Sequence, residues 1–480
     1  ITQTGNSNDE GISNWAGDFG AFIDQDGDDN TGEITQGGDD NTALIDQEGD
    51  ENSASITQDS DENTAEIEQD GDNNVSNVVQ EDGDENSADV DQDGDDNTSN
   101  ITQTGSENTA ETDQDGDENF SSITQSGDEN TAEVDQDGDE NSSTIVQGGD
   151  DNLASVDQNG DENTSSVTQN GDDNVARVDQ DSDENSATIL QTGDDNIAAI
   201  YQGDGDDDGD GNTASITQSG DDNFASTMQG DGLLGDGDGA ENSATINQIG
   251  DGNISVILQG VGVLFGEGNG DNNTASITAV GGGDDNLNLI AQGVGALGGE
   301  GNGDENSATI SQGPGDDNIA LVFQGVGIGG GATSGYATEN TGSVTQSGDD
   351  NVGLVMQGVD IGEGVSHTGD NNSASVTQSG DDNFGVAFQG VGISDDYEDL
   401  ILDTFEEIFG EEIDADALAF LSPFAGLTGT SNADGNTSDI EQSGDDNLAL
   451  VFQGLNSDAE DNLSDVLQSG NENTALVDQN

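Results

Sequence analysis

Inside short segments of this chain, apolar residues recur two apart, and the segments themselves recur every 11 residues. One copy runs Gln47-Glu48-Gly49-Asp50-Glu51-Asn52-Ser53-Ala54-Ser55-Ile56-Thr57-Gln58. Its second half holds two alternating sets: Asn52, Ala54, Ile56 and Gln58 in one, Ser53, Ser55 and Thr57 in the other. A period of two puts these sets on opposite faces of a β-strand, and the apolar pair marks the first set as inward. The Gly-Asp-Glu stretch predicts a turn, with Gly for positive φ and Asp and Asn for local side-chain hydrogen bonds. The phrase's Asn falls at 30, 41, 52, 63 and 74. After one added residue it falls at 86, 97, 108, 119, 130, 141, 152, 163, 174, 185 and 196, then at longer gaps up to Asn473. A period this strict predicts a stacked repeat.

An inward row bounded by Asn and Gln is costly in a lone strand, because buried amides lack partners. Stacking identical residues about 4.8 Å apart makes the row favourable, since the amides then hydrogen-bond along the stack as ladders. Asn52, Gln58, Asn130 and Gln136 are examples. Two phrases make one rung, with facing strands around a thin core of Ala and Ile or Val. The expected fold is all-β, a β-solenoid of about 16 two-strand rungs built from 11-residue half-repeats, with insertions at one corner and a small helical insertion. The organisation expected is an irregular first rung over 1–24, a regular solenoid over 25–202 and a solenoid with corner insertions over 203–389. A helical insertion over 390–435 and terminal rungs over 436–480 complete it.

The phrase Gln-x-Gly-x-x-Asn-x-Ala-x-x-x-Gln, as it stands at 47–58, resembles the curlin repeat of the major curli subunit, a secreted functional amyloid. It recurs over most of 25–389 and 436–479. The resemblance implies a β-solenoid subunit that polymerises into extracellular fibres of a biofilm matrix and serves adhesion. Here Asn opens both strands of a rung, where the family typically has Ser in one, and the acidic load is far higher.

Alternate phrases define two outward faces. Face A is mostly Ser and Thr, as in Ser55/Thr57, Ser122/Thr124 and Ser166/Thr168. Face B begins acidic, as in Glu66/Glu68, Asp89/Asp91 and Glu133/Asp135, and turns apolar from about Ile197. Leu258, Phe323, Met356, Phe388 and Phe452 lie on that apolar outer face. The long insertions all follow B strands, beginning after Gln202, Gln229, Gln259, Gln292, Gln324, Gln357, Gln389 and Gln453. Many open with runs such as Val261/Val263 and Val326/Ile328, which predicts that they fold back over the apolar face as a third short strand. The competing reading is a sticky face between neighbouring filaments. In the largest insertion Tyr397, Leu400, Ile401, Phe405, Ile408 and Phe409 have helical spacing.

Charge adds a condition to this picture. Against 107 acidic residues stands Arg177 alone, for a formal net charge of -106. That excludes nucleic acid and anionic membrane as partners. Acid spread evenly over every repeat resembles the surface of a protein from a salty medium, where the Debye length is about 3 Å at 1 M. The chain has no Cys, so thiolate metal sites and disulfides are excluded. No run is long enough for a transmembrane helix. The opening Ile1-Thr2-Gln3 falls mid-phrase, which fits removal of a leader.

Candidate chemistry is sparse. Carboxylates that recur in every turn without a pocket point to structure, not acid-base catalysis, so no enzyme is expected. His367, in an insertion, reads as a solvated loop residue. Asp204-x-Asp206-x-Asp208-Gly209 matches the start of a calcium loop but lacks the distal Glu. Diffuse Na or K counter-ions are the stronger reading, and no cofactor is expected. Trp15, Phe19 and Phe22 either cap the solenoid or pack within the first rung, and packing is the favoured expectation. The expected partner is the chain itself, joined head to tail through Ile1 and Gln3 at one end and Val477 and Gln479 at the other. The alternatives are a monomeric solenoid whose Ser/Thr face binds a surface, as in ice-binding solenoids, and a non-polymerising adhesin.

Overall fold

The computed structural model describes residues 2–4, 8–14, 20–203, 209–230, 232–233, 236–263, 266–280, 282–329, 334–362, 366–393, 433–454 and 459–479. The chain divides into two units, Ile1–Tyr201 with Ala214–Phe224, and Gln202–Thr213 with Ala225–Asn480.

In the first unit each phrase makes one strand of 6 or 7 residues, such as Thr42–Glu48, Ser53–Asp59 and Thr64–Asp70. Each strand pairs in parallel with the strand two further along the chain. Ile34 lies opposite Ile56 and Gln36 opposite Gln58 in one sheet, while Ile45 faces Ile67 and Gln47 faces Gln69 in the other. Consecutive phrases therefore occupy alternate sheets, and two phrases form one rung. The residue added near Asp82 does not break the stack: Asp82 takes φ 60° and the pairing of Glu68 with Asp91 is kept. Inward residues are sealed from solvent, with Ile34, Ile56, Ile67, Gln58 and Gln69 at 0 % exposure. Burial of this kind stabilises by about 1.5–3 kcal/mol per large aliphatic side chain. Phe22 departs from expectation. It sits outward on face B and is 44 % exposed, because it occupies the same strand position as Leu44 and Glu66.

The turns explain their glycine. Gly49 has φ 111°, and a Cβ there would lie 2.1 Å from the carbonyl oxygen of Gly71 in the next rung. Stacked turns approach too closely for a side chain at that position.

The second unit uses the same rungs, with Ile277 opposite Ile310 in one sheet and Ile290 opposite Val322 in the other. Its insertions add two more columns of short parallel strands. Gly262–Val263, Gly295–Ala296 and Gly327–Ile328 stack in one column. Glu267–Asn269, Glu300–Asn302, Ser334–Tyr336 and Ser366–Thr368 stack in the other. The columns meet backbone to backbone, since a Cβ on Gly301 would lie 2.1 Å from the carbonyl carbon of Val294. Val261, Val294, Val326, Val359 and Val391 of the insertions form one apolar cluster with Leu354, Met356, Val386, Phe388, Leu450 and Phe452 of face B.

His367 lies within the strand Ser366–Thr368, opposite Gly335, and not in a loop. There is no helix among the described residues. Of the expected helical insertion, 390–393 continue the strand Phe384–Ile393 and 433–434 form the strand Ala433–Asp434. The helical pattern itself, Tyr397 to Phe409, falls outside the described residues, as do Trp15 and Phe19.

Candidate functional site: the laddered and charged faces

The two amide positions of each phrase do different work. Gln makes side-chain ladders. In the first unit Gln58 Nε2 donates to Gln80 Oε1 at 2.9 Å, and Gln114 and Gln136 pass the same bond on to Gln136 and Gln158 at 2.8 Å. In the second unit one ladder runs from Gln202 through Gln229, Gln259 and Gln292. It continues through Gln324, Gln357, Gln389 and Gln453 to Gln479. Asn ties side chain to backbone and in many rungs also forms a side-chain ladder, as where Asn130 Nδ2 donates to Asn108 Oδ1 at 3.1 Å and Asn152 Nδ2 to Asn130 Oδ1 at 3.0 Å. Asn52 Oδ1 accepts the backbone N–H of Asn74 at 2.8 Å, and its Nδ2 donates to Gly71 O at 2.7 Å. Asn130 Oδ1 likewise accepts from Asn152 N, and its Nδ2 donates to Gly149 O. Most buried amides thus become hydrogen-bonded along the stack, which offsets the desolvation cost of an isolated strand.

The two turn acids also differ. The first is an acceptor in the stack: Asp72 Oδ1 takes the backbone N–H of Asp50 at 2.8 Å, and Asp139 Oδ1 takes that of Asp117 at 2.9 Å. A short side-chain acceptor suffices here, which fits Asp at this position in most phrases, with Ser106 and Asn471 accepting in its place in two others and Glu at the position only as Glu460. The second acid holds a left-handed backbone, as at Glu51 (φ 62°), Glu129 (φ 59°) and Asp151 (φ 58°). Sequence reasoning assigned positive φ to glycine alone and missed this. The available signal was the free exchange of Asp and Glu there, which marks a side chain with no fixed partner. Glu129 is pushed up by the charges of Asp151 and Glu107.

Face B of the first unit carries one column of eight carboxylates in register: Asp24, Asp46, Glu68, Asp91, Asp113, Asp135, Asp157 and Asp179. Asp91 and Asp135 are pushed up to about 6. Partial burial on the pleated face is the larger cause, and the neighbouring carboxylates the second. Asp179 also rises to about 6, even though Arg177 bonds it at 2.8 Å, because burial and the charge of Asp181 outweigh the guanidinium. Arg177 also stands 5.4 Å from the ring centre of Tyr201. Asp157 Oδ1 is shut off from solvent without a hydrogen-bond partner.

The apolar part of face B, in the second unit, is covered. Met356, Phe388 and Phe452 are 8 %, 3 % and 2 % exposed, and Leu258 and Phe323 are partly buried against the same cluster. The Phe388 and Phe452 rings lie 5.5 Å apart.

Of the residues assigned to the ends, Gln3 pairs with Gln25, and Val477 and Gln479 lie in the strand Thr474–Gln479, partly exposed. Ile1, Asp204, Asp206 and Asp208 fall outside the described residues. Among the described residues no three His, Cys, Asp or Glu side chains gather as a metal cage.

One rung breaks the pattern. Ala279 replaces the ladder Gln between Gln248 and Gln312. Gln312 Oε1 is left buried without a donor, as is Asn288 Oδ1. Across the core, Asn288 stands where most B strands have Ala. Its Nδ2 reaches Ser255 Oγ at 3.3 Å, and Gln248 Nε2 reaches the same oxygen at 2.9 Å. The large and small residues have exchanged sheets, and the ladder detours through Ser255.

These features define a parallel β-solenoid held by side-chain ladders and built from two-phrase rungs. Residues 27–59, 61–94, 94–127, 127–160 and 149–181 match the curlin associated repeat, so this part of the chain carries curlin repeats. No curated protein matches the chain.

Proposed function

We propose that this chain is a structural, non-catalytic subunit of an extracellular curli-like fibre that grows head to tail by adding rungs, in biofilm matrix and adhesion. The observation that carries the reading is self-complementarity. Apart from the rung of Ala279, successive rungs offer the same Gln acceptor, the same Asn pair and the same backbone register to the next, as Gln114, Gln136 and Gln158 do. Any rung is thus a template for a like rung from another copy. The curlin associated repeats support the same class of role and an extracellular or cell-surface location. Diffuse Na or K counter-ions offset the acidic columns, and molar salt is the working condition.

Electron microscopy of purified chain, moved from denaturant into molar salt or into low salt, tests the reading. Long unbranched filaments in molar salt that are lost at low salt are expected. Compact monomers in both conditions would overturn it and favour a surface-binding solenoid.

A further inference from the structure

The cluster of Met356, Phe388 and Phe452 on face B is covered by the insertions and the acidic stretch repels a like face, which leaves residues such as Ile197 and Ile254, at strand starts, bare there. Face A differs from both. In the first unit the outward residues of Thr98–Thr104, Phe120–Ser126, Ser142–Gly148, Thr164–Asn170 and Ser186–Thr192 include no charged side chain. The same holds in the second unit for Ser243–Ile249, Thr274–Ala279, Ser307–Gln312, Thr341–Ser347 and Ser373–Ser379. In a chain of net charge -106 these stretches are conspicuous by their neutrality. We propose that face A is a lateral self-association surface, on which a second copy of this chain packs sheet against sheet.

Three arguments fix a second copy as the occupant. The first is charge. Two copies that meet through turns or acidic face B bring like columns together, whereas the neutral stretches of two A faces bring none, the acids of face A such as Glu33, Glu81, Asp439 and Asp465 lying on strands outside them. The second is area. Five strands of about 20 Å stacked about 4.8 Å apart give on the order of 500 Å² from each copy in one unit alone. Engagement of a single unit's stretch therefore falls near the weak end of specific interfaces, which start at about 1,000–1,200 Å² in total. That predicts an association that depends on concentration and salt. The third is relief. Phe120, Val146 and Leu190 stand out from the Ser/Thr field at 39 %, 36 % and 37 % exposure. Such knobs spoil a flat lattice match to ice but serve a dry, interdigitated contact between like sheets.

Face B shows that the fold tolerates acids in this setting, since Asp113 and Asp135 occupy the strand position that Thr102 and Thr124 hold on face A. The triple variant Thr102→Asp/Thr124→Asp/Thr168→Asp therefore keeps the solenoid. Ser155→Asp, on face B, is the control. Sedimentation in molar salt across a concentration series is expected to show paired or bundled species for the parent and the control. The triple variant is expected to run as single particles, or as single unbundled filaments by microscopy.

The chain has no Cys, so a spin label at Thr168→Cys reads the contact directly. Labels on facing sheets, about 10 Å apart by backbone, couple strongly. A label at Ser155→Cys is expected to stay uncoupled. Bundling that survives the triple variant, coupling at Ser155→Cys instead, or a parent that never associates sideways would each overturn the proposal. Single filaments from the parent would sink lateral pairing while leaving head-to-tail growth standing. Pairs without filaments would do the reverse.

Discussion

A buried glutamine in this solenoid is a donor and an acceptor at once, so its replacement injures its neighbours as well as itself. Gln125 Nε2 donates to Gln147 Oε1 at 2.9 Å and Thr109 O at 2.8 Å, and its Oε1 accepts from Gln103. Gln125→Leu preserves volume but leaves buried polar groups unpaired on both sides. It is expected to lower stability by about 2–4 kcal/mol, read as a fall in the urea midpoint. Thr124→Val, one residue away but outward, is expected to change it by less than about 0.5 kcal/mol. The interrupted ladder gives the opposite test. Ala279→Gln with Asn288→Ala returns large and small residues to their usual sheets and gives Gln312 Oε1 a donor. The double variant is expected to gain about 1 kcal/mol, and either single change to lose stability, one by overpacking and the other by opening a void. A double variant no more stable than the parent would mean that the detour through Ser255 already satisfies the rung. The ladder itself was legible in the sequence, but its interruption was not. Ala279 and Asn288 each look like an ordinary lapse in the repeat, and only the facing of the two sheets shows that they compensate.

Among the elements, the B strands of the first unit hold charge against charge. Asp135 is raised to about 6 by burial and by Asp157 and Asp113. Its folded-state value thus lies above its unfolded value, and the folded state binds the extra proton. Stability therefore rises as pH falls from about 6 toward 4, and the penalty is fully present at pH 7. Asp135→Asn is expected to raise stability at pH 7 by about 0.5–1 kcal/mol, after allowance for solvent screening. The gain should vanish near pH 4, where urea unfolding of variant and parent should coincide. A gain that is equal at both pH values would assign the effect to packing instead. In the second unit the insertion strands replace solvent over face B. Phe388→Ala, at 3 % exposure, is expected to cost about 3–5 kcal/mol, whereas Ile254→Ala, 43 % exposed on the same face, costs far less. The alternation of apolar and polar residues made strands, faces and corner insertions readable, because a period of two has one geometric meaning. The stacking of insertions in two columns was not readable, because it depends on close backbone approach at residues such as Gly301, whose sequence signal is only that of a flexible loop.

Across the whole molecule the repeat that builds the stack also aligns its charge. The sequence showed 107 acidic residues in a regular array, but not that the first turn acid is a hydrogen-bond acceptor and the second a left-handed spacer. Turn geometry of that kind is set by the rung above and below, not by local propensity. The energetic consequence can be bounded. Two unit charges about 4.8 Å apart repel by roughly 0.9 kcal/mol in water. The seven contacts along the Asp24-to-Asp179 column then total about 6 kcal/mol, within the range of a whole domain's net stability. At 1 M salt the Debye length of about 3 Å cuts each contact roughly five-fold. The urea midpoint is therefore expected to climb steeply between low and molar salt and then level off. If screening is diffuse, NaCl and KCl should give superimposable curves, and calcium titrated into protein held in molar NaCl should give no saturable heat. Saturable calcium binding under those conditions would replace the diffuse atmosphere with a defined site. Asp204→Asn/Asp206→Asn/Asp208→Asn would then show whether that run supplies it: loss of the heat in this variant would locate the ion there, and retention would place it in the stacked turns.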